Sequence, residues 1–405
     1  MWRAVRHIEL PAWMRWKETD PVLAALQAGG ASVRFVGGCV RDAVLGVDAK
    51  DIDLATPEPP AVVMERLRAA GLRAIPTGIE HGTVTAVVGA RHFEITTLRA
   101  DVETFGRRAT VAFTDDWEGD AARRDFTINA LYADSGGGVY DPTGGLADLD
   151  AGRVRFVGRA AERIAEDRLR VLRFFRFHAR FGRVEPDGEA LAACRDGAAG
   201  LEILSGERVA AELLRLLAVS DPAPTVALMA SLGVLARVLP EASATDRLAA
   251  LVRIESVHDR ADELRRLSAL LPGNGQAVNS AADRLRLSNA ERERLRAMAL
   301  APIPASDSRA MRRQLYRLGA ALFRDRVLLA WAGGEIADGA GLLAAAAAWV
   351  APVFPLRGSD ALALGQSAGP RVGEALRAVE TWWEENDYRD DRDACLQRLR
   401  ALLVS

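Results

Sequence analysis

The stretch 34–56, RFVGGCVRDAVLGVDAKDIDLAT, leaves little choice about how this chain begins to fold. An apolar run ends at Gly37-Gly38, a helical segment follows with Arg41-Asp42 in its first turns, and a second apolar run carries Asp51-Ile52-Asp53. Because strand side chains alternate, Asp51 and Asp53 are expected on one face and Ile52 on the other, close enough for the two carboxylates to share divalent cations. Two acids held that near repel unless a cation answers them. The glycines let backbone N–H groups approach a ligand with no Cβ in the way, and the helix aims its positive end at any phosphate. Arg41 can offer a forked cation to the same phosphate. Each piece has a plainer reading alone: Gly-Gly after a strand is often only a tight turn, and D-x-D is common on solvated edges. Together they point to a pocket that cradles a polyphosphate on one wall and holds metals on the other, and two metals can stabilise both oxygens of an in-line displacement.

From about residue 33 to 140, strand-like runs (RFVG, DIDLAT, TVTAVVG, HFEITTLR) alternate with one helical stretch at 61–70. After the turn formers Asp141-Pro142-Thr143-Gly144-Gly145 strands nearly stop, and everything from Arg159 onward reads as helices, 160–181, 206–219, 222–238, 245–271, 280–300 and 308–331 among them. The fold class is therefore α+β, a small mixed head followed by a long helical arm that could reach along an extended substrate. No fixed-period repeat marks a solenoid.

At 405 residues the chain exceeds one ordinary core. With 53 basic against 55 acidic residues, net charge gives no support for nucleic-acid binding, although such a balance still permits a local basic groove. Only Lys17 and Lys50 are lysines, for which genomic base composition is the simplest account. Cys39, Cys194 and Cys395 are scattered, which suits a reducing compartment and argues against a disulfide framework or zinc cluster. The N-terminus shows no signal peptide, and the apolar run 339–354 is too short and too weakly hydrophobic to span a bilayer. A cytoplasmic protein without a membrane partner is expected.

Further polar clusters follow. Glu94 shares a face with Thr96 and is a third carboxylate for the site if its strand neighbours that of Asp53; otherwise it is an edge acid or a partner for Arg99. The polar run 99–116, containing Gly106-Arg107-Arg108, reads as a long mobile loop. In Arg123-Arg124-Asp125-Phe126-Thr127-Ile128-Asn129-Ala130, arginines and an Asn beside buried apolar residues suit a helix whose polar face meets triphosphate and ribose, or a solvated basic patch. Asp167, Arg170, Arg173 and Arg176, spaced by three, form a polar stripe with Leu169, Leu172 and Phe175 behind it, which a salt-bridged helix surface would also explain. Ser205 is placed to cap a helix with early acids, and His258-Asp259 reads as ordinary helix surface.

G-G-x-x-R-D-x-x-L-G over 37–46 followed by D-x-D resembles the nucleotidyltransferase signature of the class II tRNA nucleotidyltransferase and bacterial poly(A) polymerase family. R-R-D-F-T-x-N-A at 123–130, E-D-x-x-R-x-x-R at 166–173 and S-x-E-R-x-x-x-E-L at 205–213 resemble its later motifs, in order, so the likeness covers about 34–217. It implies a polymerase β-like nucleotidyltransferase head with a small mixed sheet (1–150), then an all-helical neck that recognises the base (151–220), a body (221–303) and a tail that grips tRNA (304–405). It also implies that the loop near 99–116 helps switch the added nucleotide from C to A. The implied activity is addition of C, C and A to tRNA 3′ ends from CTP and ATP with Mg²⁺, releasing pyrophosphate and using no nucleic-acid template. Asp51 and Asp53 would bind the metals, Gly38, Arg41, Arg124 and Asn129 the nucleotide. Asp167 and Arg170 would read the base edge, with Arg173 and Arg176 selecting or orienting it.

Cytosine and adenine both present an exocyclic amino donor beside a ring acceptor, so one carboxylate and one guanidinium can serve both. Uracil and guanine would leave buried polar groups unpaired, a costly mismatch. Arg168 stands where family members often have Pro or a small residue, away from the base readers. Poly(A) polymerases and enzymes adding only CC or only A share these motifs. A non-catalytic RNA-binding module would have no need of clustered acids facing an anionic ligand. Replacement of Asp53 by Ala is expected to abolish nucleotide incorporation while leaving tRNA affinity within about twofold, as a metal ligand distant from the RNA grip requires; retained incorporation would remove Asp53 from the metal site.

Overall fold

The computed structural model describes residues 3–105, 108–243, 245–367 and 369–404, with the side chains of 100–111 and 404 left aside. The chain divides into two compact units, Met1–Pro240 and Glu241–Ser405. The first contains strands β1 (Arg6–His7), β2 (Arg34–Val36), β3 (Ile52–Thr56), β4 (Arg73–Gly78), β5 (Thr83–Val88), β6 (Arg91–Thr97), β7 (Arg99–Phe105), β8 (Arg108–Phe113), β9 (Tyr132–Ala133) and β10 (Gly138–Tyr140). Eight form one mixed sheet in the order β1-β10-β9-β2-β3-β6-β5-β4, and β7 with β8 forms a separate hairpin. Among the described strands only β3 and β6 run parallel, with Asp53 in register with Glu94 and Leu54 with Ile95. The apolar members of that register, Ile52, Leu54, Phe93 and Ile95, are fully buried, so a slip of one residue would turn the acids into the core.

Helices α1 (Thr19–Gln27), α2 (Gly38–Val44), α3 (Pro60–Ala69), α4 (Trp117–Ala122) and α5 (Gly145–Ala151) accompany the sheet. Pro60 starts α3, where its missing N–H costs nothing, and Val63, Met64 and Leu67 turn inward. Trp13 meets Phe35 of β2 edge-on at 4.8 Å.

The helical part of the first unit consists of α6 (Ala160–Glu166), α7 (Arg170–Phe181), α8 (Gly188–Gly197), α9 (Gly206–Leu217), α10 (Ala223–Ser231) and α11 (Val234–Val238). An aromatic cluster seals α7 to the sheet-bearing part: Phe156 stacks on Phe174 at 5.6 Å and tilts against Phe126 at 4.7 Å, and Phe126 meets Phe177 at 5.2 Å. Packing of this kind at fixed ring distances gives the contact one geometry rather than a sliding interface.

The second unit holds α12 (Thr245–His258), α13 (Glu263–Leu270), α14 (Gly275–Arg284), α15 (Asn289–Leu300), α16 (Ser308–Ala332), α17 (Ala340–Ala348), α18 (Gly358–Ala363), α19 (Pro370–Glu385) and α20 (Arg392–Val404). At its centre Glu255 accepts from both Arg265 and Arg266, and Arg265 also donates to Asp325, so each buried charge has a counter-charge. His258 rests against Trp331 and Asp259 pairs with Arg265 and Arg324, in keeping with an ordinary structural His-Asp. No described helix is long and apolar enough to cross a membrane.

Several expectations need correction. The described residues of 99–113 are a paired hairpin and not a loop, because backbone pairing satisfies its own donors and acceptors without an apolar period; Gly106 and Arg107 lie outside the described residues. The expected helix over 160–181 is broken. Asp167 is extended (φ −145°, ψ 108°), its side chain accepts from the Leu169 N–H at 3.0 Å, and α7 starts at Arg170. Asp167 therefore stands outside the helix that bears Arg170, Arg173 and Arg176, since an Asp side chain competes with helical backbone bonding. The region 245–271 breaks likewise, at Asp262, whose side chain caps α13. Ser205 occupies its N-cap position without a side-chain bond. Asp51 lies in the bend just before β3 rather than on it, and β1, β4, β9 and β10 add to the expected strands. Truncating Phe156 to Ala should cost about 3–5 kcal/mol of stability in denaturant unfolding, the usual range for a buried aromatic, whereas Phe156→Leu should recover most of it.

Candidate active site

A short turn opens the site. Gly37 adopts φ 76°, a conformation that a side chain would strain, and its N–H is spent on the Leu131 carbonyl at 2.9 Å. That turn delivers α2, whose Arg41 is buried beneath Phe181 at 4.3 Å. The Arg41 guanidinium forks onto Asp42 Oδ1 through Nε (2.9 Å) and Nη2 (2.7 Å), while Nη1 donates to Asn129 Oδ1 at 2.5 Å. Burial lowers its pKa below the usual arginine value, against the pull of Asp42.

A cavity of about 500 Å³ opens between the sheet and α7. Its lining includes Gly37, Gly38, Arg41, Asp53, Arg124 and Asn129 from the sheet-bearing part and Asp167, Arg170, Arg173, Arg176, Phe177 and Arg208 from the helical part. Gly38, Arg41, Asp53, Arg124, Asn129, Asp167, Arg170, Arg173 and Arg176 thus line one space, and Asp51 and Glu94 do not. Asp51 lines a second cavity of about 410 Å³, which shares Gly38, Arg41 and Asp53 with the first.

The Asp53 carboxyl is pushed up to about 6 by burial, then by the negative charge of Glu94, with Arg124 pulling it down and Asp51 adding to the rise. Glu94 does neighbour Asp53, as its candidacy required. Among the described residues no group of three or more His, Cys, Asp or Glu side chains is gathered as a finished metal cage. Crowded, partly desolvated carboxylate oxygens nevertheless suit a hard divalent cation that completes its shell with water or phosphate oxygens.

Arg124 is anchored on its back edge, with Nη2 donating to Asp120 Oδ2 at 2.9 Å and Nε lying 3.3 Å from the Tyr132 hydroxyl, which itself donates to Asp120 at 2.7 Å. Its Nη1 points toward Gly37, 3.7 Å from where a Cβ would stand. Asp125 accepts from the Asn129 amide (3.1 Å) and from Arg173 Nε (2.7 Å), so the RRDF segment joins the sheet to α7. This segment is a turn after α4 followed by a 3-10 turn at Thr127–Asn129, not one helix. Arg176 donates to Glu212 of α9 at 2.5 Å, and Arg170 pairs with Glu166 at 2.5 Å. Asp167 accepts from Arg208 at 2.8 Å, not from Arg170.

The roles of Asp120, Asp125 and Glu212 were not read from the sequence. Asp120 lies three and four positions before Arg123 and Arg124, a helical spacing that signals the contact. Glu212 stands 36 positions from Arg176, and only tertiary structure brings them together.

A cavity lined by a glycine turn, a buried carboxylate and a set of arginines is the kind of site a nucleotidyltransferase needs. Residues 33–155 match the family described as Poly A polymerase head domain, and residues 184–245 that described as probable RNA and SrmB-binding site of polymerase A. The chain is 34% identical to the mitochondrial CCA tRNA nucleotidyltransferase 1 of Mus musculus, a match covering 91% of this chain and 86% of that protein. It is 39% identical to the CCA-adding enzyme of Lactiplantibacillus plantarum over 53% of this chain and 51% of that enzyme. The Bacillus stearothermophilus CCA-adding enzyme, solved in complex with CTP, shares the fold with a TM-score of 0.77 at 27% identity, covering 95% of this chain and 96% of that one. The chain belongs to the CCA tRNA nucleotidyltransferase family.

The site also makes a prediction about acid stability. Burial alone would raise the Asp120 carboxyl, but the charges of Arg124 and Arg123 and the Tyr132 hydroxyl outweigh it and hold it down at about 2. A carboxyl depressed in the folded state stabilises above its unfolded pKa, near 3.8, and that contribution is lost as pH falls toward 2. Asp120→Asn should therefore lower stability at pH 7 by on the order of 2 kcal/mol and flatten the stability–pH curve between those values, measured by denaturant unfolding at each pH.

Proposed function

We propose that this chain adds C, C and A in turn to the 3′ ends of tRNA from CTP and ATP, with no nucleic-acid template. The observation that carries this reading is that Asp53 and the Gly37-Gly38 turn line the same cavity as Asp167 and Arg170. A triphosphate lying against the turn meets Arg124 Nη1, which is free of the bonds that anchor the rest of its guanidinium. Gly38 leaves room for that approach, and Arg41, engaged by Asp42 and Asn129, holds Asn129 in position near the sugar rather than releasing its own fork.

Asp167 and Arg170 would face the base edge. Each is oriented by a different partner, Arg208 and Glu166, and each keeps unused lone pairs or N–H groups for the base. Arg173 and Arg176, braced by Asp125 and Glu212, orient the base from beneath. In the transfer, the RNA 3′-oxygen forms a bond to the α-phosphorus. The bond from that phosphorus to the bridging oxygen breaks, pyrophosphate leaves with the electron pair, and the hydroxyl proton is released to water.

Asp51 and Asp53 would hold Mg²⁺, with Glu94 adding negative charge beside them. Bound there, Mg²⁺ would lower the pKa of the attacking hydroxyl and stabilise the entering and leaving oxygens. A reducing compartment, the cytoplasm in our reading, is supported by three free and buried cysteines. Poly(A) synthesis is the second reading, favoured by the head-family match alone.

Transcripts ending before CCA, after C and after CC, each incubated with one labelled nucleotide, separate these readings. Addition limited to completing one CCA is expected; a long A tail would establish the polymerase, and C without A, or A without C, a partial enzyme.

A further inference from the structure

The turn between α6 and α7 carries both residues assigned to the base edge, and Arg168 stands between them. Asp167, Leu169 and Arg170 line the nucleotide cavity, and Arg168 does not. The chain is extended at Asp167 and returns to helix through the Arg170 N–H, which donates to the Asp167 carbonyl at 3.0 Å. Arg168 leaves this turn on the side away from the cavity, toward α8 and the 3-10 turn Ala198–Ile203 that continues it.

There its stem lies on bare backbone. A Cβ at Gly200 would stand 2.7 Å from Arg168 Cδ, 2.8 Å from Cγ and 2.9 Å from Nε, and these are the three atoms nearest to it. Because the overlap falls along the middle of the side chain, the whole stem would have to lift, not only its tip. Gly200 has no left-handed backbone that calls for a glycine, so the missing Cβ serves close approach. The guanidinium reaches the C-terminal end of α8, with Nη1 3.8 Å from where a Cβ of Gly197 would stand, and helix carbonyls at such an end favour a cation. Arg168 is thus half-buried, its stem packed and its head at the helix end.

On the inner side, Arg170 is held to α6 by Glu166 and by the Arg163 carbonyl. Asp167 is held less firmly. Its ion pair with Arg208 joins side chains 35% and 42% exposed, a kind of contact that contributes little, and its bond to the Leu169 N–H lies within the turn and moves with it. The place of the Asp167 carboxylate relative to Arg170 therefore depends on how the turn is seated from outside, and the Arg168 stem ties it there to a separate helix.

We propose that Arg168 is a positioning residue for base selection: its stem, seated on Gly200, fixes the turn so that Asp167 and Arg170 meet the base edge together. The inference rests on the assignment of Asp167 and Arg170 to the base edge made above. Arg168 itself touches no part of the nucleotide.

The test measures kcat/KM of the full chain for CTP and UTP on tRNA transcripts ending before CCA, and for ATP and GTP on transcripts ending in CC. Arg168→Ala and Gly200→Ala should each lower both discrimination ratios roughly tenfold, a fraction of what a misplacement of about 1 Å can cost, while tRNA affinity and the denaturant midpoint stay close to wild type. Arg168→Lys, which keeps a long stem and a positive head, should retain most of the discrimination. Gly200→Ala added to Arg168→Ala should cost nothing further, because the atoms it would displace are gone, and a shared contact requires that non-additivity. Unchanged ratios in Arg168→Ala, an undiminished effect of Gly200→Ala in the Arg168→Ala chain, or ratios that fall only in step with a lowered denaturant midpoint would each overturn the proposal. Full discrimination in Asp167→Ala would instead overturn the base-edge assignment on which it rests.

Discussion

Asp125 is the point on which the arrangement turns. Buried, it accepts from the Asn129 amide, from its neighbour's backbone N–H and from Arg173 on α7. Burial alone would raise its pKa, yet Arg173 and these hydrogen bonds hold it below the ordinary carboxylate value. Through Asn129 it reaches Arg41 and Asp42 on α2, and through Arg173 it reaches α7 and Glu212. A charge so placed is costly unless each partner is present, so the sheet and α7 cannot drift apart without leaving a buried ion unpaired. The phenylalanine cluster beneath supplies the cohesion, and the ion network supplies the register.

The same economy of partners explains why so many arginines can line one cavity without repelling it open. Arg124 has Asp120, Arg170 has Glu166, Arg176 has Glu212 and Asp167 has Arg208. Each cation is oriented by an acid behind it and shows only part of its donor set to the cavity. Asp53 is the exception: burial first, then the negative charge of Glu94, raises its pKa, and the pull of Arg124 does not offset them. The contrast separates groups that are complete in the protein from the one that calls for something more.

Legibility in the sequence followed the range of the interactions. The strand–turn–helix–strand block at 34–56, the strands β5 and β6 and the helical second half were readable because alternation, glycine placement and helical spacing act within a few residues. The break at Asp167 was not, because helical periodicity continues through it and only the side-chain bond to Leu169 decides against the helix. The hairpin at 99–113 was hidden by its polar composition, since strand pairing satisfies backbone groups whatever the side chains. The Arg170–Glu166 and Asp167–Arg208 pairs replaced the expected neighbours along the stripe, because the break turns Asp167 away from α7.

The sequence by itself determined the chemical vocabulary: paired carboxylates beside a strand, a glycine turn, arginines at helical spacing and an α+β head before helices. These are local, since each depends on residue type and on periods of two or about four. Tertiary structure decided which of these groups meet. The parallel pairing of β3 with β6 set Glu94 beside Asp53, and α9 brought Glu212 to Arg176. The packing of α7 against the sheet gathered nine of the ten predicted residues around one cavity and left Asp51 to the adjoining one. Contacts between residues dozens of positions apart are selected by burial and charge compensation over the whole unit, which no short window of sequence contains.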